Sequence, residues 1–144
     1  MQPLMCFLCS ALIFAVPLFA QAEPSRNCGH STVGEFSANL APKASGFLGA
    51  LKVAVRTEDK RKVAAMVHYP LNVNTDKAHK VIRNSAQFLA DYDQLLTAPI
   101  RKAIEKQTAE CLFANWQGVM IGDGEVWFEE QSNGGMKIKT LNIP

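Results

Sequence analysis

His68-Tyr69, with Asp91 and Asp93 further along, is the one set of residue types in this chain that invites a proton-transfer reading. An imidazole, a phenol and a carboxylate can act as general acid and base once burial moves them toward the working range. A small lyase or isomerase with no cofactor would need little more. The spacing argues against it. Asp91 and Asp93 flank Tyr92, whose ring belongs to an apolar stripe, so both carboxylates are expected to point outward. His68 falls at an expected helix end, where the backbone dipole favours its cation. No G-x-S-x-G, H-E-x-x-H, P-loop or G-x-G-x-x-G occurs, and Gly122-Asp123-Gly124 is expected to be a hairpin turn. His30, His68 and His79 show no ligand spacing around the cysteines, so neither a metal nor a cofactor is expected.

A binding surface is the stronger chemical candidate. Val126 and Phe128 alternate with Glu125, Trp127 and Glu129, which puts Trp127 on the face opposite the apolar pair. Exposed aromatics among charges are enriched at protein interfaces. Trp116, Asp123, Glu125, Trp127 and Glu129 are therefore the candidate binding residues. The competing expectation is that Trp127 packs on Trp116 or beneath the N-terminal arm. Asp123, Glu125, Glu129 and Glu130 make the hairpin acidic, a weak device for steering a basic partner. Lys60-Arg61-Lys62 and Arg101-Lys102 with Lys106 read as solvated helix faces, and nothing has the dense basic stripe that nucleic acid requires.

The elements that hold these residues lie in a chain of 144 residues with a net charge of +2, the length of one domain. Residues 1–22 carry no charged side chain, and Leu4 to Phe19 is an apolar stretch ending in Ala20-Gln21-Ala22. Small-x-small after such a stretch is a signal-peptidase site, and Ser10 and Pro17 interrupt the run before it could serve as a membrane span. Export with cleavage after Ala22 is expected, leaving no membrane span. Cys6 and Cys9 would leave with the signal, so Cys28 and Cys111 remain as an even pair in an oxidising compartment, expected to form a disulfide.

Residues 23–44 read as an irregular arm. Phe47, Leu48, Leu51 and Val55 recur at helical spacing, and Thr57 is an expected N-cap for a second helix carrying Val63, Met66 and Val67, ended by His68-Tyr69-Pro70. Tyr69 to Val73 and Lys80 to Arg83 are expected strands around a turn at Asn74-Thr75-Asp76-Lys77. Asn84 with Gln87 resembles a capping box. It opens a long helix with the stripe Phe88, Leu89, Tyr92, Leu95 and Leu96, and Thr97 and Pro99 open another helical segment. From Cys111 the texture is β: Leu112 to Ile121 as one strand region bent near Gly118, Glu125 to Glu130, and Met136 to Ile143.

Segregated helices and strands imply an α+β fold in which N-terminal helices pack on a curved antiparallel sheet, with residues 45–144 as the domain. The runs Phe47 to Leu51, Met66 to Leu71, Phe88 to Asp93, Leu112-Phe113 and Gly118 to Trp127 resemble the NTF2-like / cystatin-like roll of small secreted bacterial proteins. The resemblance implies a periplasmic or secreted protein, and it leaves the activity open, because this fold hosts enzymes, adaptors and toxin-neutralising proteins alike. The expected function is that of a non-catalytic binding protein, such as an inhibitor or immunity-type partner of an envelope or cell-wall protein. The alternatives are a lyase or isomerase using His68, Tyr69 or Asp91 inside the cone, and a structural envelope protein that pairs as a homodimer through its sheet.

Overall fold

Helix α2 (Leu40–Arg56) sets the plan of the molecule: Leu40, Ala44, Phe47, Leu48, Leu51, Ala54 and Val55 recur at helical spacing and all are buried. The computed structural model describes residues 32–144. The expected signal peptide, the first part of the arm and Cys28 lie outside the described residues. The arm is more ordered than expected. Val33–Phe36 forms a short helix α1, and α2 reaches back through Pro42 to Leu40. Proline is tolerated in a first turn, where backbone N–H groups have no intrahelical acceptor. Val33 and Leu40 belong to the core, so the packed unit extends upstream of residue 45.

Thr57 is not an N-cap. It closes α2, its hydroxyl donating to the Val53 carbonyl at 2.8 Å. Glu58 then adopts a left-handed backbone (φ 54°), and Asp59 caps α3 (Lys60–Ala65) by accepting from the Lys62 N–H at 3.0 Å. The second helix also stops sooner than expected. Met66 follows α3, and Val67–Thr75 is strand β1, so His68, Tyr69 and Pro70 are strand residues. The Tyr69 hydroxyl donates to the Ala64 carbonyl at 3.0 Å and satisfies the helix end from the strand. Pro70 sits in the gap in β1 pairing between Val67 and Asn72, just upstream of Leu71, the first β1 residue paired with β2. A proline survives inside a sheet where no neighbour needs its N–H.

Strand β2 (His79–Ile82) returns antiparallel to β1. Asn84 caps α4 (Ser85–Ala90) through the Gln87 N–H at 2.9 Å, and the Gln87 side chain reaches back to the Arg83 N–H. The expected long helix is divided. α4 ends at Asp91, whose carboxylate is held by Lys80 at 2.6 Å, and a short α5 (Tyr92–Leu95) follows. An extended Thr97 then starts α6 (Ala98–Lys106). The apolar stripe survives these breaks: Phe88, Tyr92, Leu95 and Leu96 are all buried.

A 3-10 turn (Ala109–Cys111) leads into β3 (Phe113–Asn115), β4 (Gly118–Ile121), β5 (Val126–Glu130) and β6 (Met136–Ile143). The expected single strand from Leu112 to Ile121 is thus a hairpin with Trp116-Gln117 at its tip. The six strands form one sheet in the order β2-β1-β6-β5-β4-β3. The sheet is mixed, not wholly antiparallel, because β6 lies parallel to β1. The fold is α+β, with an open six-stranded sheet.

Register places two rows of side chains on the helix side. One runs Val73, Leu141, Val126, Ile121, and the other Val67, Ile138, Phe128, Val119, Ala114. Every member is buried. Phe47 of α2 stacks on Phe128 at 4.7 Å between ring centres, and Phe88 meets both Tyr69 and Tyr92 edge to face.

Candidate functional site on the open sheet face

The opposite face of the sheet carries a different row: Asn72, Thr140, Trp127, Met120 and Phe113, one from each of five adjacent strands. None of the five is buried. Most of this row, together with His79, Asn74 and Asn142 alongside, lines a groove of about 950 Å³.

A register shift in β6 shapes the groove. Trp127 pairs with Thr140 while Phe128 pairs with Ile138, so Lys139 is the extra residue of a bulge. Lys139 and Thr140 consequently both line the groove, between inward-facing Ile138 and Leu141. Bulges re-aim side chains in this way and are common beside functional sites. Lys139 Nζ donates to Glu129 Oε2 at 2.6 Å.

The groove's floor is a ladder of amides. Asn74 Nδ2 donates to Asn142 Oδ1 at 2.8 Å, and Asn142 Nδ2 donates to the Gly124 carbonyl at 2.6 Å. His79 Nε2 lies 3.4 Å from Asn72 Oδ1. Gly124 has φ 114°, a conformation that favours glycine, and a β-carbon there would lie 3.7 Å from the Trp127 indole nitrogen and 3.8 Å from the Met120 sulfur. The Gly122-Asp123-Gly124 turn therefore lies beside the Trp127 ring. Glu125 organises that turn, accepting from the Asp123 N–H at 2.5 Å.

Of the candidate binding residues, Trp116, Asp123, Glu125 and Trp127 come together around this groove. Glu129 stands beside it through Lys139. Trp116, at the β3–β4 tip, is 83% exposed and also borders a smaller cleft of about 240 Å³ with Phe36 and Leu40. Two of the four hairpin carboxylates are paired with lysines within the molecule. Glu129 pairs with Lys139, Glu130 pairs with Lys43, and Glu125 is spent on the turn.

The proton-transfer candidates are dispersed. His68 is exposed on β1, Tyr69 turns to the helix side against Phe88, and Asp91 is held by Lys80. Burial raises the Tyr69 phenol above its ordinary range, partly offset by a hydrogen bond with Ser85. Asp93 pairs with Lys60 and faces Arg101. None of His68, Tyr69 and Asp91 lines either the groove or the smaller cleft. The space between helices and sheet, where the alternative lyase or isomerase reading puts a polar pocket, holds the rings of Phe47, Phe88, Tyr92 and Phe128. Among the described residues no group of three or more His, Cys, Asp or Glu side chains could hold a metal, and no helix is long and apolar enough to cross a membrane.

Asn72, Asn74, Met120, Lys139, Thr140 and Asn142 were not singled out by sequence. Their signal is the alternation Leu71-Asn72-Val73-Asn74 and Leu141-Asn142, a period-2 pattern of apolar side chains and amides. No protein-family model, curated protein or solved structure matches this chain.

Proposed function

We propose that this chain is an exported, non-catalytic binding protein of the periplasm that receives an envelope partner on its open sheet face. The reading places it on an NTF2-like / cystatin-like roll, a proposal supported by helices gathered on one face of a sheet whose last four strands run as a meander. One observation carries the binding reading. Trp127 is half-buried in a groove that Asn72, Asn74 and Asn142 also line, and among the described residues the helices pack on the other face of the sheet. Binding sites are concave and hold a few convergent polar groups around aromatic surface. The charge-free leader ending Ala20-Gln21-Ala22 supports export, and a Cys28–Cys111 disulfide is proposed to tie the arm to the start of β3.

The test is capture of partners from an envelope extract by wild type, by Trp127→Ala combined with Glu129→Lys, and by Lys102→Glu on α6. The reading predicts a partner shared by wild type and Lys102→Glu and lost by the double variant. An inhibitor or immunity-type role would appear as an envelope enzyme or toxin in that shared set. Identical partner sets for all three proteins would contradict it.

A further inference from the structure

We infer that the groove on the open sheet face takes a neutral oligosaccharide, with a sugar ring stacked on Trp127. This rests on the binding reading above and names its ligand class. A pyranose has one face of C–H groups and a rim of hydroxyls, each both donor and acceptor. The groove offers the matching set. Trp127 supplies aromatic surface, with its indole N–H making no hydrogen bond in the described residues and its ring steadied beside Gly124 and Met120.

The amides around it are fixed but not exhausted. The Asn74–Asn142–Gly124 chain orients both side chains while leaving the Asn74 carbonyl oxygen unspent, and Asn72 keeps its amide donor. Thr140 and Gln117 add side-chain groups that have no protein partner among the described residues. Groups held in place with capacity left over suit a ligand that presents mixed donors and acceptors.

Charge decides against other occupants. Lys139 is paired with Glu129, so among the described residues no lysine or arginine lining the groove is free for an anionic ligand, and Asp76 and Asp123 on the rim disfavour one. A basic peptide would find most of the hairpin carboxylates already committed. A second copy of the chain would have to bury three asparagines and the Lys139–Glu129 pair, unlike the apolar patches of stable homodimers.

The experiment is calorimetric titration of the full chain with chitohexaose, cellohexaose and, as the anionic counterpart, tetragalacturonate. At least one neutral hexasaccharide is expected to bind, with tetragalacturonate weaker by about tenfold or more. Trp127→Ala should weaken binding about tenfold or more, and Trp127→Phe, which keeps a ring but loses the N–H, should fall between. Asn72→Ala should weaken it severalfold and Lys102→Ala leave it unchanged, each variant being checked for native circular dichroism. No binding of either neutral hexasaccharide by folded wild type, or binding indifferent to both Trp127 variants, would overturn the inference. If no sugar binds and the extract experiment still yields a partner lost with Trp127, the glycan inference fails and the binding face stands. A Trp127-dependent dimer in sedimentation would likewise overturn the glycan and assign the face to self-association. If neither sugar nor partner depends on Trp127, both fail.

Discussion

Asn74 and Asn142 join the two parallel strands of the sheet, the Asn74 amide donating to the Asn142 oxygen at 2.8 Å in register on β1 and β6. The same Asn142 side chain then donates to Gly124 and so links the first strand to the turn that supports Trp127. The two asparagines lie 68 positions apart in the chain.

Removing that link should cost stability as well as shape. Asn142→Ala loses two half-buried hydrogen bonds, and chemical denaturation should show a loss of about 1–2 kcal/mol. Asn142→Asp keeps the acceptor for Asn74 but turns a carboxylate oxygen toward the Gly124 carbonyl, so its loss should equal or exceed that of Asn142→Ala. Equal stability of all three proteins would show that the ladder does not hold the groove.

What the sequence disclosed depended on range. Trp127 opposite Val126 and Phe128 was legible because strand alternation is local, and the Asn84 cap was legible for the same reason. The parallel pairing of β1 with β6 was not, since no local pattern encodes which distant strand comes alongside. The start of β1 was misread as helix because Val63, Met66 and Val67 fit helical spacing; the Tyr69 hydroxyl reaching Ala64 fixes the boundary only in three dimensions. Individually, the groove's amides carry no sequence signal of a site. They become a site only when the register aligns Asn72, Thr140 and Trp127.

The glycines give a prediction with two signs. A β-carbon at Gly118 would lie 2.6 Å from the Phe128 carbonyl oxygen, and φ there is 123°. Gly118→Ala should therefore destabilise by about 1–3 kcal/mol. Gly49 lies inside α2 with nothing near its missing β-carbon. Gly49→Ala should stabilise by about 0.5–1 kcal/mol in the same denaturation assay.

Both tyrosines make the fold sensitive to alkali. Burial raises the phenol of Tyr92, partly offset by the neighbouring Arg101 guanidinium, and burial likewise raises that of Tyr69. In the unfolded chain these phenols ionise near their ordinary value of 10, while in the folded chain they keep their protons to higher pH. Above that value the unfolded state binds fewer protons, so stability present at lower pH is lost as pH climbs. Denaturation at a series of pH values should show stability falling beyond about pH 10. The Tyr92 hydroxyl is buried with no hydrogen-bond partner among the described residues, while Lys60 and Arg101 lie over its ring. Tyr92→Phe should accordingly flatten the slope at little or no cost near neutrality.

Trp127 and Phe128 are neighbours on opposite faces, and their roles should separate. Phe128 is fully buried against Phe47, so Phe128→Ala should cost about 3–5 kcal/mol. Trp127→Ala, on the open face, should cost markedly less and leave a native circular dichroism spectrum. Similar losses for the two would mean that Trp127 is a core residue.

Site-specific photo-crosslinking in living cells reaches the central claim most directly. A photoreactive side chain placed in turn at Asn72 and Thr140 on the open face, and at Ser45 and Lys102 on the helix side, reports which surface meets a partner. The account predicts adducts from positions 72 and 140 and none from 45 and 102. Adducts confined to 45 and 102 would contradict it.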